Sequence, residues 1–267
     1  MTTPTPLPKR LFRLVRLAIH LLRALLTAAF GYAGKTALQK GQMRQRWSRQ
    51  LLAILHVKLD VCDTPDALPA RCLIASNHIS WLDIFVVNAV LPATFVAKAD
   101  VAHWPLVGWL CTRAGTLYIE RGSKSAARRA NQNIVRMLEA GSLVAICPEG
   151  TTSYGDELLP FHAALFQPAV DANAQVQPVT LCYRDAKALL CKGAAYVGDD
   201  SLVDSVWAIV STRHMTASVK FSPPINSAGL ARRDLARATE AAIATALGVS
   251  APVRAAEKRG HPQAGPQ

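Results

Sequence analysis

The chain has 267 residues, 51% hydrophobic and 18% charged, and its 30 Lys and Arg against 18 Asp and Glu give a formal net charge of +12. That apolar share excludes a disordered chain. The length suits one globular domain with an appendage, or two small domains, with a core that needs no disulfide or metal staple.

The charge is unevenly placed. Residues 1–60 hold 11 Lys or Arg and one acid, Asp60; residues 61–250 hold 16 of each; residues 251–267 hold three basic groups and Glu257. A neutral body on a cationic N-terminus argues against a globally basic nucleic-acid binder, whose charge would line the folded domain. No nucleic-acid partner is expected. The six cysteines lie at 62, 72, 111, 147, 182 and 191, without a Cys-x-x-Cys or a zinc-like Cys/His spacing, so reduced thiols, an intracellular setting and no metal are expected.

Residues 11–33 read as a basic amphipathic helix. Lys9, Arg13, Arg16, His20 and Arg23 step by four, three, four and three, which places them within an arc of about 80° at about 100° per residue. Leu11, Leu14, Ala18, Leu22 and Leu25 lie opposite. This is the pattern of a segment lying in a membrane interface, its cations towards an anionic leaflet. A helix packed on the protein's own body with its basic stripe in water is the competing reading. Arg13, Arg16 and Arg23 interrupt any signal-peptide core, and a tilted spanning helix with snorkelling arginines fits the same residues. A second helix is expected over about 36–57, carrying Lys40, Arg44, Arg46 and Arg49, with a turn at Gly31 and Gly34. The two form a basic hairpin.

From about residue 60 short apolar runs at 71–75, 93–97, 115–120, 142–147, 176–183 and 215–221 alternate with helical patterns near 81–91, 123–140, 161–170 and 230–247. That alternation predicts an α/β domain with a central sheet. The expected units are 1–58 (N-terminal helices), 59–250 (body) and 251–267 (a loose tail).

Three places in the body could carry chemistry. In Ser76-Asn-His-Ile-Ser-Trp-Leu-Asp83, Ser80 reads as an N-cap with Asp83 three residues on, and Asp83 could reach back to orient His78 as a base. The same spacing equally describes a helix cap beside an ordinary turn residue. Pro148-Glu149-Gly150-Thr151-Thr152-Ser153 follows an apolar strand, a usual site position in α/β folds, although alone it reads as a tight turn. Gly115 to Ser123 ends in Glu-Arg-Gly-Ser before a helix, where Arg121 could meet a phosphate or form a surface ion pair.

Taken in this order, the three motifs resemble the four-block pattern of the glycerolipid acyltransferase family, typified by 1-acyl-glycerol-3-phosphate acyltransferases. His78-x-x-x-x-Asp83 resembles the first block, Gly115–Arg121 the second, Pro148-Glu-Gly-Thr151 the third and Val176-Gln-Pro-Val179 the fourth. The resemblance covers about residues 70–185. It implies an α/β fold, a central mixed sheet flanked by helices with an N-terminal membrane-associated helical hairpin. It implies acyl transfer from acyl-CoA or acyl-carrier protein to a lysolipid hydroxyl at the cytoplasmic face of the inner membrane, with no bound cofactor. By that resemblance His78 and Asp83 are catalytic, and Arg121, Glu149, Gly150 and Thr151 bind substrate. Two departures concern the acceptor: Thr152 stands where the family commonly has Arg, and His162 where Lys is common after Pro-Phe. Lyso-ornithine lipid would need less anion recognition there than 1-acyl-glycerol-3-phosphate. The rival classes are a serine lipid hydrolase using Ser80 or Ser153 with His78, and a non-catalytic lipid-binding protein.

Overall fold

The computed structural model describes residues 4–252 apart from 33, 66–70 and 121–123. Two helices open the chain, α1 (Leu7–Leu26) and α2 (Ala37–Leu55). Thr36 starts α2 with a reciprocal cap: Gln39 N donates to its hydroxyl at 3.2 Å, and its own N–H donates to Gln39 Oε1 at 3.0 Å. His56 in the left-handed region (φ 58°) ends α2, and β1 (Val57–Cys62) follows at once. The expected boundary at 58 thus falls inside a strand of the body.

The remaining strands are β2 (Cys72–Ser76), β3 (Thr94–Lys98), β4 (Leu117–Ile119), β5 (Val144–Ile146), β6 (Gln175–Arg184), β7 (Met215–Phe221) and β8 (Ile225–Asn226). The helices are α3 (Asp83–Val90), α4 (Val107–Arg113), α5 (Lys124–Glu139), α6 (Gln167–Asp171), α7 (Leu202–Ser211) and α8 (Arg232–Leu247). They enclose one mixed sheet of order β1-β7-β6-β2-β5-β3-β4, with β8 on β6. Strands β2 to β6 are mutually parallel, whereas β7 runs antiparallel to β6 and carries β1 parallel to itself.

Every residue of β2 is buried, as expected of a central parallel strand covered on both faces. Its alternation divides the core. Cys72 and Ile74 join Leu51, Leu55, Val86 and Ile209 under α2, α3 and α7; Leu73 and Ala75 join Ile134, Leu138, Phe166 and Leu235 under α5 and α8. Because β2, β4 and β5 are parallel, the segments that follow them leave from one edge of the sheet, where ligands of such folds bind.

Helix α1 packs on the body through two members of its basic stripe and keeps Lys9, Arg16 and Arg23 exposed. Arg13 is buried and donates to Val210 O (2.9 Å) and Thr212 O (3.0 Å) at the C-terminal end of α7. His20 is buried and stacked on Trp47 of α2, ring centroids 4.7 Å apart. The apolar side points outward, with Leu11, Phe12, Val15, Ile19, Leu22 and Leu26 each at least half exposed. In α2, Arg44 and Arg49 likewise donate to Pro92 O, Ala114 O and Ala89 O. The carbonyls at helix C-termini carry partial negative charge and few internal partners, which makes them acceptors for cations. Arg13, Arg44 and Arg49 are therefore mortar between the hairpin and the body, while Lys9, Arg16 and Arg23 stay exposed on α1.

Candidate active site

Asp83 is fully buried at the first turn of α3. Its Oδ2 accepts from His78 Nδ1 at 2.8 Å, Ile79 N at 2.7 Å and Ser80 N at 3.0 Å, and its Oδ1 accepts from the Tyr183 hydroxyl at 2.7 Å. A buried carboxylate is costly unless such donors surround it. The Ser80 hydroxyl does not cap α3; it accepts from Leu82 N at 3.3 Å, and Leu82 occupies the N-cap position. The capping pattern is thus half realised: the acid reaches back to the backbone, and the serine serves its own turn.

In the neutral imidazole, with Nδ1–H donated to Asp83, the other ring nitrogen of His78 is the acceptor. The carboxylate end of the pair is closed, and the His78 side chain, which also meets Cys147, is 23% exposed. Burial pulls the imidazole pKa down, but the Cys147 thiol and the Asp83 carboxylate outweigh it and hold the pKa well above the ordinary value. Tyr183 titrates well above an ordinary phenol because it is buried and faces Asp83, so its hydroxyl keeps its proton and stays a donor.

The third block clamps this turn instead of standing apart from it. Glu149 is buried, and its two oxygens accept from His78 N (2.6 Å) and Leu159 N (3.0 Å). Ser153 N donates to His78 O at 2.9 Å, so both sides of the His78 backbone are held. Burial pushes the Glu149 carboxyl up to about 7 against the two N–H donors. Gly150 turns the chain at φ 69°. Gly155 lies so close that a Cβ there would meet Ile79 Cδ1 at 2.7 Å. Thr151 is exposed, and the Thr152 hydroxyl donates to Tyr196 O. Arg121 lies outside the described residues.

Three contributors escaped the sequence reading. Tyr183 sits four residues beyond the fourth-block resemblance, and nothing local marks it. Asn77 bonds Leu181 of β6 in both directions, its Nδ2 to Leu181 O (2.9 Å) and Leu181 N to its Oδ1 (2.7 Å), extending β2–β6 pairing with a side chain. Cys147, expected only to be a reduced thiol, is part-buried beside His78, with its Sγ 3.7 Å from Ser76 Oγ. Neither serine of the hydrolase alternative is placed as a nucleophile: Ser80 is fully buried, and the buried Ser153 Oγ accepts from Gly155 N at 3.3 Å.

A neutral imidazole held by a buried carboxylate and itself partly exposed can take a proton from a hydroxyl. The Acyltransferase family pattern matches residues 61–182. The chain is 38% identical over 220 residues to the lyso-ornithine lipid O-acyltransferase of Pseudomonas aeruginosa, covering 79% of this chain and 83% of that one. It is 37% identical over 212 residues to the 1-acyl-sn-glycerol-3-phosphate acyltransferase of Neisseria meningitidis serogroup B, covering 79% and 82%. The fold is that of the 1-acyl-sn-glycerophosphate acyltransferase PlsC from Thermotoga maritima, with a TM-score of 0.68 at 16% identity over 91% of this chain and 94% of that one. Since more than a third of the residues are shared along four fifths of such relatives, this chain belongs to the acyltransferase family.

Proposed function

We propose that this acyltransferase moves a fatty acyl chain from acyl-CoA or acyl-carrier protein to the free hydroxyl of a lysolipid, 1-acyl-glycerol-3-phosphate first, giving phosphatidate. The observation that carries the reading is the His78–Asp83 pair, a 2.8 Å contact with a fully buried carboxylate and a partly open imidazole. A thioester is already activated, so no acyl-enzyme is needed. His78 removes the acceptor's proton as its oxygen attacks the carbonyl; Asp83 fixes the tautomer and stabilises the imidazolium that forms. The thiol of the donor leaves and takes the proton back from His78. Arg121 would face the acceptor's anionic group. Glu149 and Gly150 set the shape of the turn, and Thr151 borders the open side.

Lyso-ornithine lipid is the second acceptor. It is favoured by Thr152, whose hydroxyl is spent on Tyr196 O where the family commonly offers a cation. The outward apolar face of α1 suits a membrane, and we place the enzyme on the cytoplasmic face of the inner membrane, where donor and lysolipid meet.

The test is thioester consumption against a panel holding lysophosphatidate and lyso-ornithine lipid. His78→Ala should lower turnover by about three orders of magnitude, in line with loss of a general base, with an unchanged circular-dichroism spectrum. Turnover equal to the parent would overturn the mechanism, and a trapped acyl-enzyme would replace direct transfer.

A further inference from the structure

The chain between β3 and β4 forms a small apolar knob that the catalytic reading does not use. A 3-10 turn, Ala99–His103, runs into α4 through Trp104-Pro105-Leu106. Trp104 is 38% exposed, Leu106 66% and Trp109 40%. Three large apolar side chains within six positions are more than a soluble surface usually shows together, and Trp is the residue most at home where an apolar phase meets water.

The backbone adds a second observation. Leu106 has φ 61° and ψ −47°, and Val107 N donates to Pro105 O at 2.6 Å. This is the rare, strained γ-turn, held by a leucine rather than a glycine. The strain points a bulky apolar side chain into solvent, the reverse of what folding alone would favour. The knob is also braced. Gly108 packs so close that a Cβ would meet Ala102 O at 2.1 Å, and its carbonyl accepts from Thr112 Oγ1 (2.9 Å) and Tyr118 OH (3.2 Å).

Its charges are mainly basic: Lys98 and Arg113 are exposed against Asp100, and Arg113 lies over the Trp109 ring at 5.4 Å. Arg44 of α2 bonds Ala114 O just beyond α4, which fastens the knob to the hairpin whose α1 shows its apolar side outward.

We infer that the Trp104–Leu106–Trp109 knob is a second lipid-surface contact, a wedge that enters an anionic bilayer independently of α1. The inference rests on the membrane placement proposed above. Leu106 and both Trp rings enter the interface, and Lys98 and Arg113 meet anionic headgroups. Because the knob follows β3, it leaves the sheet at the edge that also carries His78 and Glu149, and it would hold that edge at the lipid surface.

The test uses the full chain and vesicles of phosphatidylcholine with phosphatidylglycerol. Leu106→Asp should weaken sedimentation with vesicles by about tenfold, and Trp109→Phe should reduce the fluorescence quenching by brominated phosphatidylcholine. Leu106→Gly keeps the proposal falsifiable if the charged variant misfolds. It relaxes φ, so the melting temperature should hold or rise while vesicle binding falls about fivefold. Ile19→Asp in α1 separates the two readings. If it weakens binding and the Leu106 variants do not, the knob is not a lipid contact and the membrane placement stands. If neither changes binding, both fall. Unchanged vesicle binding with a raised KM for a soluble thioester would make the knob part of the donor site and overturn the proposal.

Discussion

Arg13 and Asp83 are both buried charges, and their surroundings differ in one respect. Arg13 donates hydrogen bonds to the backbone carbonyls of Val210 and Thr212 and to the Thr5 hydroxyl. Asp83 accepts hydrogen bonds from two backbone N–H groups, from Tyr183 and from His78, which is titratable and partly open to solvent. A buried charge whose partners do not titrate near neutral pH is a fastener. A buried charge with one movable proton among its partners can do chemistry. The contrast predicts that removing Asp83 costs rate, whereas removing Arg13 costs stability.

The largest expected effect is on rate. In Asp83→Asn the amide oxygen stays towards Ile79 N, Ser80 N and His78, so the tautomer is kept but the charge that stabilises the imidazolium is lost, and transfer should fall by about 10²- to 10³-fold with KM little changed. A fall under tenfold would make Asp83 a cap and remove the distinction. Arg13→Met should cost about 3 kcal/mol in urea unfolding, the lower end of the scale for two charged hydrogen bonds, while turnover per folded molecule stays within about twofold. A rate loss without a stability loss would reverse the assignment.

Tyr183→Phe sharpens the Asp83 side. The carboxylate loses its Oδ1 donor, becomes more basic and holds the His78 proton harder. The acid limb of the rate profile should move to higher pH, and kcat should drop about tenfold with KM unchanged, the scale of one charged hydrogen bond. A purely structural tyrosine would leave the profile in place.

The smallest effect is on stability with pH. Glu149 is raised by burial to about 7 in the fold, so the native state holds its proton more tightly than the unfolded chain. Its stabilising share is complete below the ordinary carboxylate range and is lost as pH rises towards 7. His78, also raised, loses its share at higher pH. In Glu149→Gln the lower window of decline should vanish and the upper one persist, as read from melting temperature against pH.

Much of the architecture is visible in the residues. The six apolar runs each became a strand, because a buried strand needs only a short β-branched or apolar run. Two strands and two helices were not visible. The last turn of α2 runs directly into β1, with no polar loop to punctuate the change. The two residues of β8 are too few to show alternation. The apolar run 202–211 matches strand and helix alike, and the knob segment mixes Trp, Pro and Gly without a period. At the site, His78 and Asp83 were legible because both fall in one turn. Tyr183 is 100 residues from Asp83, and its role depends on β6 lying beside β2, a fact of topology that no local spacing carries. The burial of Arg13 was not legible for a related reason: a cationic stripe is read against water or lipid, and only the packed α7 shows that carbonyls are this one residue's partners.

The way the hairpin is fastened bears on how the protein can be handled and how it could have arisen. A peripheral anchor can ordinarily be trimmed to yield a soluble enzyme. Here a cut before β1 would strip α2 from the core it shares with β2 and α3, and leave the ends of α3 and α7 without their arginine partners. The helical hairpin and the body share one core, through Leu17 of α1 and Leu51, Leu52 and Leu55 of α2. Solubilising this protein therefore means repainting the outer face of α1, residue by residue, and leaving its length alone.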